Sequence, residues 1–501
     1  MPQSSEVVIS HPQFGITNWM VIIFYLVGVL FIGCWVSRRI TTTRGFFIAE
    51  GKLNYILVGL SILGTYLSTL TMMALPSIAF GEYDWLWTVQ LPCLILTAVI
   101  ITRVVLPRYR EAGVISIYEF LEQRIHTSAR LLASICFILM SIGRMGLVLY
   151  LPALALHTVT GINLPLVIIT MGIVVTIYTV MGGMEAVVWT DAIQVIILVF
   201  GALLTVGYAL GNVASADGNF LAIAHEHHKF RMFDWRLDFK EVVTAWLILQ
   251  TLFETVRIYG TQQDIAQRYM TTESTAKANR SVWIAIAGYI PLGYMFYFIG
   301  TALFVYYKVH PDPNVPALIA REFTDAIYPY FVVTTMPAGI SGLIIAAMLA
   351  ASMSSIDSSM NSSSTVCVED FYKRFWGRGK SDEHYLKVAR WLTLMWGVLA
   401  TVMALSFIGI KYAQVVWSKV MGISTNGVLG LMALAFLPVR IRWWAAVIGF
   451  GACYVVLFYV MFLTKINFLL WPVIGNSVCF LVALILNAIV EYAIPKPSGI
   501  R

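Results

Sequence analysis

Long apolar runs separated by short polar connections recur along the chain from Trp19 to Val490. Many approach the roughly 20 residues that a membrane-spanning helix requires. The pattern predicts an all-α polytopic membrane protein with about thirteen spans, at 18–37, 54–80, 85–106, 129–156, 163–181, 186–211, 240–259, 281–307, 335–364, 386–409, 413–437, 442–463 and 468–490. The first run, "WMVIIFYLVGVLFIGCWV", is too long for a signal-peptide core and has no small-residue cleavage site after it, so it reads as a retained helix. Placing the N-terminus outside puts 23 of the 33 Lys and Arg residues on the inner side, in 38–52, 103–130, 257–280, 373–390, 440–442 and the C-terminal tail. Eight fall outside (Lys229, Arg231, Arg236, Lys240, Lys308, Arg321, Lys411 and Lys465), while Arg144 and Lys419 lie within spans. This is the bias that orients membrane helices.

Composition agrees. The 501 residues are 59% hydrophobic and only 12% charged, about half the charged share of a soluble chain. The net charge of +7 is a topology signal, with no nucleic-acid patch behind it. Five cysteines (Cys34, Cys93, Cys136, Cys453, Cys479) fall in spans and Cys367 near an inner end; their scatter indicates neither a disulfide framework nor a metal site. No stretch reads as a soluble domain, a P-loop or a dinucleotide fingerprint.

An ionisable side chain inside the bilayer costs a few kcal/mol or more, so each one is a functional hypothesis. Four places stand out. In "AASMSSIDSSMNSSS" (350–364), Ser354, Asp357 and Ser358 stand at i, i+3 and i+4 on one helical face. Oxygen-only ligands suit a hard cation such as sodium, whereas zinc or copper prefers imidazole or thiolate. The competing reading is helix–helix glue, which is favoured for Ser359, Ser362, Ser363 and Ser364. In "GLSILGTYLSTLTMMALPS" (59–77), Gly64, Thr65, Ser68, Thr69, Thr71 and Pro76 make a poor continuous helix. Either it breaks, with freed carbonyls lining a cavity, or it is a small-residue packing seam. "GGMEAVVWTDAIQVIIL" (182–198) carries Asp191 into a span, where a helix-dipole role is the weaker alternative. Finally, Arg144 sits mid-span in "SICFILMSIGRMGLVLYLPALAL" (134–156) and needs a carboxylate partner. That partner is a carboxylate of the protein or of a ligand, or else water in an open cavity takes its place, with a structural salt bridge as the competing account. "HEHHKF" (225–230) reads as a solvated outer loop rather than a metal site, and Lys419 as snorkelling toward the outer face.

These places, in this order, resemble the sodium:solute symporter family over about residues 17–490. The specific pieces are "GGMEAVVWTDAIQ" (182–194), "QQDIAQRYMTTES" (262–274) and "GLIIAAMLAASMSSIDSSMNS" (342–362). The chain looks most like the bacterial sodium–sialic-acid symporters and less like the sodium–glucose cotransporters. The resemblance implies two inverted five-helix repeats, at 54–211 and 240–437. Around them lie an extracytoplasmic N-terminus (1–17), a preceding helix and cytoplasmic loop (18–53), an outer loop (212–239), and two C-terminal helices with a tail (438–501). It implies one sodium held by the carbonyls of Gly64, Leu67 and Ala351 and the hydroxyls of Ser354 and Ser355. A second would lie at Asp191, Ser354, Asp357 and Ser358. Family members usually have Ser or Thr where Asp357 stands, and the extra carboxylate either tightens that site or lets a proton compete. Tyr66, Ser68, Thr71 and Arg144 match positions that meet the solute, Arg144 as the arginine that holds a sugar acid's carboxylate; Tyr66 is larger than the small polar residue expected there.

The expectation is therefore a secondary active transporter in a bacterial inner membrane, coupling sodium influx to uptake of a small organic solute such as a sugar acid. Sodium is the coupling ion, with no other cofactor, and the partners are the solute, sodium and the lipid bilayer, without nucleic acid. The alternatives are a symporter of a neutral sugar, or a transporter-like sensor or channel. A sensor would need an appended signalling domain, which "EYAIPKPSGIR" does not provide, and an enzyme would need a nucleophile–base or metal constellation at membrane depth.

Overall fold

The computed structural model describes residues 14–38, 40–216, 218–320, 324–408 and 425–493. Its longer helices are α1 (Ile16–Ser37), α2 (Tyr55–Tyr66), α3 (Thr69–Phe80), α4 (Leu86–Ala112), α5 (Thr127–Thr160), α6 (Leu164–Ser215), α7 (Thr244–Thr261), α8 (Gln263–Met270), α9 (Thr275–Val309), α10 (Ile340–Val366), α11 (Asp382–Ser406), α12 (Val428–Phe436), α13 (Trp443–Leu463) and α14 (Trp471–Ala493). Among the described residues nine helices are long and apolar enough to cross a membrane, or ten if the bent pair α2 and α3 forms one span. Residues 413–424 of the expected span 413–437, Lys419 among them, lie outside the described residues, and the rest of that span includes α12.

The 52-residue α6 covers two expected spans. They meet at Gly183, whose φ of 50° and ψ of −150° interrupt the helix. A Cβ at this position would lie 2.6 Å from Phe46 O. Both the positive φ and the close approach require glycine.

Burial sorts the helices. In the most apolar stretch of α10, 89% of residues are buried, against 28% for α1. α10 is therefore wrapped by α1, α5, α6 and α11, while the outer helices present an apolar face. Ile196, Phe200 and Leu203 of α6, Trp391, Val398 and Val402 of α11, and Val455, Phe458 and Phe462 of α13 are exposed, as lipid-facing residues are. Asn18 pins α1 to the start of α10, its Oδ1 accepting from Gly339 N (2.6 Å), Ser341 Oγ (3.0 Å) and Gly342 N (3.0 Å). These are orphan donors of a helix N-terminus, satisfied from a neighbouring helix.

Of the arginines counted on the inner side, Arg130, Arg257 and Arg268 are buried. Lys229, in the loop expected to be solvated, is buried as well. Its Nζ donates to Phe80 O (3.0 Å), Gly81 O (2.6 Å) and Asp84 Oδ1 (2.9 Å), joining the outer loop to the end of α3. A lysine is well placed there because the carbonyls at a helix C-terminus attract positive charge.

Candidate functional site

The span at 54–80 breaks. Leu67 (φ −78°, ψ 85°) ends α2, and Ser68 (φ −85°, ψ 167°) begins α3 as its N-cap. In a continuous helix Ser68 N would donate to Gly64 O; here it donates to Tyr66 O at 3.1 Å. The bend between Tyr55–Tyr66 and Thr71–Phe80 is 56°. Broken backbone of this kind is tolerated at membrane depth where it lines a cavity, and a cavity of about 230 Å³ lies beside it. Thr65, Tyr66, Ser68, Thr71 and Arg144, all singled out in the sequence, line this cavity together with Val148, Ile258, Gln262, Ile265 and Tyr289. The Tyr66 ring packs against those of Tyr289 (centroids 4.5 Å apart) and Tyr259 (5.4 Å), so the large side chain forms one aromatic wall.

Arg144 has a partner that the sequence reading did not identify. Its Nη1 donates to Asp264 Oδ2 at 2.6 Å and its Nη2 to Thr65 O at 3.2 Å. Asp264 belongs to α8, a short helix carrying two buried ions four residues apart. The second ion, Arg268, donates through Nε to Ser61 Oγ (2.7 Å) and through Nη1 to Asp264 O (2.5 Å). Its Nη2 donates to Asp191 Oδ2 (2.8 Å) and Ser358 Oγ (2.6 Å).

Asp191, Ser354, Asp357 and Ser358 do come together, with Arg268 among them. Asp191 Oδ2 also accepts from Ser61 Oγ at 2.5 Å. Asp357 Oδ2 accepts from Tyr178 OH (2.6 Å) and Oδ1 from Ser358 Oγ (3.1 Å). Two oxygens of the group, Asp191 Oδ1 and Ser354 Oγ, are buried without a hydrogen bond of good geometry, although the Ser354 hydroxyl lies within reach of the Asp191 carboxylate. With both carboxylates ionised, two negative charges face one guanidinium, so the group is one positive charge short.

Of Ser359, Ser362, Ser363 and Ser364 of α10, three make packing bonds, while Ser363 Oγ is buried without a hydrogen-bond partner. Ser359 and Ser362 donate to Ser355 O (2.8 Å) and Ser358 O (2.6 Å), and Ser364 bonds Thr393 Oγ1 at 2.8 Å. Bonds of this type within a helix and between helices are the packing role. Ser355 Oγ makes only a long contact of 3.4 Å to Ala351 O. Gly64 lies against α6, where a Cβ would come within 3.4 Å of Asp191 O. The break in α2–α3, the oxygen face of α10 and Asp191 thus meet in one region. No group of three or more His, Cys, Asp or Glu suited to a metal occurs among the described residues.

A broken helix at a buried cavity, next to an oxygen-lined and charge-deficient cluster, defines a membrane transporter of small solutes. The sequence matches the sodium:solute symporter family over residues 46–438, and the chain belongs to that family. It is 32% identical over 468 residues to the sodium/sialic acid symporter SiaT of Proteus mirabilis (93% of each chain). It is 30% identical to the sodium/sialic acid symporter NanT of Aliivibrio fischeri (94% of this chain, 92% of the relative). Its fold matches a substrate-bound, outward-open structure of a Na+-coupled sialic acid symporter with a TM-score of 0.87 at 30% identity, covering 95% of this chain and 98% of that one. The protein is thus a multi-pass membrane transporter that couples sodium to solute uptake, and not an enzyme.

Proposed function

We propose that the protein carries a small carboxylate, a sugar acid such as sialic acid, across a bacterial inner membrane by alternating access. Thirteen spans would form two inverted repeats, 54–211 and 240–437, preceded by one helix and followed by two. One sodium ion would sit at the break, on the carbonyls of Gly64, Leu67 and Ala351 and the hydroxyls of Ser354 and Ser355. A second would complete the group Asp191, Ser354, Asp357 and Ser358. The observation that carries this reading is the buried group of two carboxylates around the Arg268 guanidinium, in which Asp191 Oδ1 and Ser354 Oγ make no hydrogen bond of good geometry. A buried acceptor left unmade costs about 1–3 kcal/mol, and a monovalent cation satisfies both oxygens while supplying the missing charge.

The solute would lie in the cavity beside the break, with its carboxylate on the free edge of the Arg144 guanidinium, its ring against Tyr66 and Tyr289, and its hydroxyls on Ser68, Thr71 and Gln262. Sodium at the break holds α2 and α3 in the geometry that accepts the solute, so ion binding shifts the population toward the solute-competent state. The test is uptake by proteoliposomes of labelled sialic acid, neutral sugars and monocarboxylates, with and without a sodium gradient. Sodium-dependent accumulation of the sugar acid is the expected result. A neutral sugar transported best would overturn the solute assignment, and uptake indifferent to sodium would overturn the coupling.

A further inference from the structure

The cavity arginine is already neutralised. Asp264 is 1% exposed and meets Arg144 at 2.6 Å, whereas the Arg144 side chain, 14% exposed, lines the cavity. Asp264 therefore stands behind the guanidinium and does not line the solute space, which Arg144 does. Its other oxygen accepts from Ile265 N at 3.0 Å, which fixes the carboxylate on α8.

The consequence is electrostatic. An unpaired guanidinium in a poorly hydrated cavity attracts any carboxylate, whether or not sodium is present, because Coulomb energies grow as the effective dielectric falls. Such a site would load solute without its coupling ion. Paired with Asp264, Arg144 keeps its planar fork of donors but contributes no net charge. A bound solute carboxylate then leaves the cavity at a net charge of −1. Sodium at Gly64 and Leu67, which flank the Thr65 carbonyl held by Arg144 at 3.2 Å, returns it to zero.

We propose that Asp264 is the positioning residue that makes carboxylate binding depend on sodium: it cancels the charge of Arg144, so that an anionic solute is held only when sodium supplies the missing positive charge. The inference rests on the reading of the solute as a carboxylate and of the break as a sodium site. Asp264 also reaches the other charged group, since its carbonyl accepts from Arg268, which in turn holds Asp191. The solute cavity and the two-carboxylate cluster thus share one helix.

Asp264→Asn keeps the volume and an oxygen acceptor but removes the charge. In purified protein, binding of labelled sialic acid and of ²²Na+ is measured separately. The variant should bind sialic acid without sodium at least tenfold more tightly than wild type, while its sodium affinity without solute falls about tenfold, because Arg144 now repels the ion. These opposite signs are the signature. A purely structural role would lower both affinities or neither, and either result overturns the proposal. Should the variant not fold, wild-type protein decides. Sodium should strengthen binding of sialic acid at least tenfold more than it strengthens binding of the neutral carboxamide; an equal effect on both overturns the proposal. If sialic acid fails to bind even wild type at saturating sodium, the solute reading fails. The ²²Na+ measurement on Asp264→Asn then decides alone, an unchanged sodium affinity counting against the role of Asp264.

Discussion

Two buried clusters in this protein pair an arginine with an aspartate, and they are completed differently. Where α10 continues past Val366, Asp370 Oδ1 accepts from Arg130 Nε (2.9 Å) and Nη2 (2.6 Å), and Oδ2 from Ser116 (2.8 Å) and Ser134 (2.6 Å). Arg130 Nη1 binds Glu122 at 2.7 Å, and Arg374 binds the same carboxylate at 2.6 Å. Burial pushes the Glu122 carboxyl up, but hydrogen bonds from Thr127, Arg130 and Arg374 outweigh it and hold it at about 2. Arg130 and Arg374 offset Asp370 and Glu122, Lys373 pairs with the neighbouring Glu369 at 2.6 Å, and both oxygens of Asp370 are engaged. The cluster of Asp191, Asp357 and Arg268 has comparable distances but two carboxylates for one guanidinium, and in it Asp191 Oδ1 and Ser354 Oγ make no hydrogen bond of good geometry. A closed cluster holds helices together. An open one leaves charge and acceptor oxygens for a cation to satisfy.

If that contrast is right, the two clusters fail differently. The largest effect is expected at the closed one. Asp370→Ala leaves Arg130 without its principal partner, and breaking a buried pair from one side costs about 3–5 kcal/mol. The variant should show a large fall in melting temperature in detergent that sodium does not restore; a sodium-rescuable loss would make this cluster a binding site too. Next, Asp191→Asn should leave a folded protein, because Ser61, Ser358 and Asp264 O still receive Arg268. Its sodium affinity should fall about ten- to a hundredfold, the equivalent of roughly 1.5–3 kcal/mol for a contact to a charged group. Stabilisation by sodium in a thermal titration checks this, and wild-type behaviour would close the cluster. The smallest effect is expected for Asp357→Ser, since Asp357 already has Tyr178 and Ser358 as donors. Transport should persist with less than a tenfold change in half-saturating sodium, and its complete loss would mean that Asp357 is indispensable.

The sequence made the apolar architecture and the broken span legible, because both are local. Twenty apolar residues in a row, or Gly64, Thr65, Ser68 and Pro76 within one span, carry their own reason. The oxygen face of α10 was also readable, as Ser354, Asp357 and Ser358 share a helical side. The ions of α8 were not. "QQDIAQRYM" is short and polar enough to pass for a loop, and Arg268 was counted with the inner charges. Its burial is decided by α2, α6 and α10, which no window of hydropathy contains. For the same reason Asp264 was missed as the partner of Arg144: the two are 120 residues apart. The one local signal was the i, i+4 spacing of Asp264 and Arg268 on an amphipathic turn. Lys229 escaped likewise, since only the folded outer loop brings it onto the end of α3.

The central claim is that the open cluster and the broken helix bind sodium through Ser354, which both proposed sites share. Equilibrium binding of ²²Na+ to the purified Ser354→Ala variant, without solute, tests it most directly. The expected result is a folded protein whose sodium affinity is about ten- to a hundredfold weaker than wild type, the loss of one oxygen from a desolvated cation. A variant that binds sodium as tightly as wild type would contradict it.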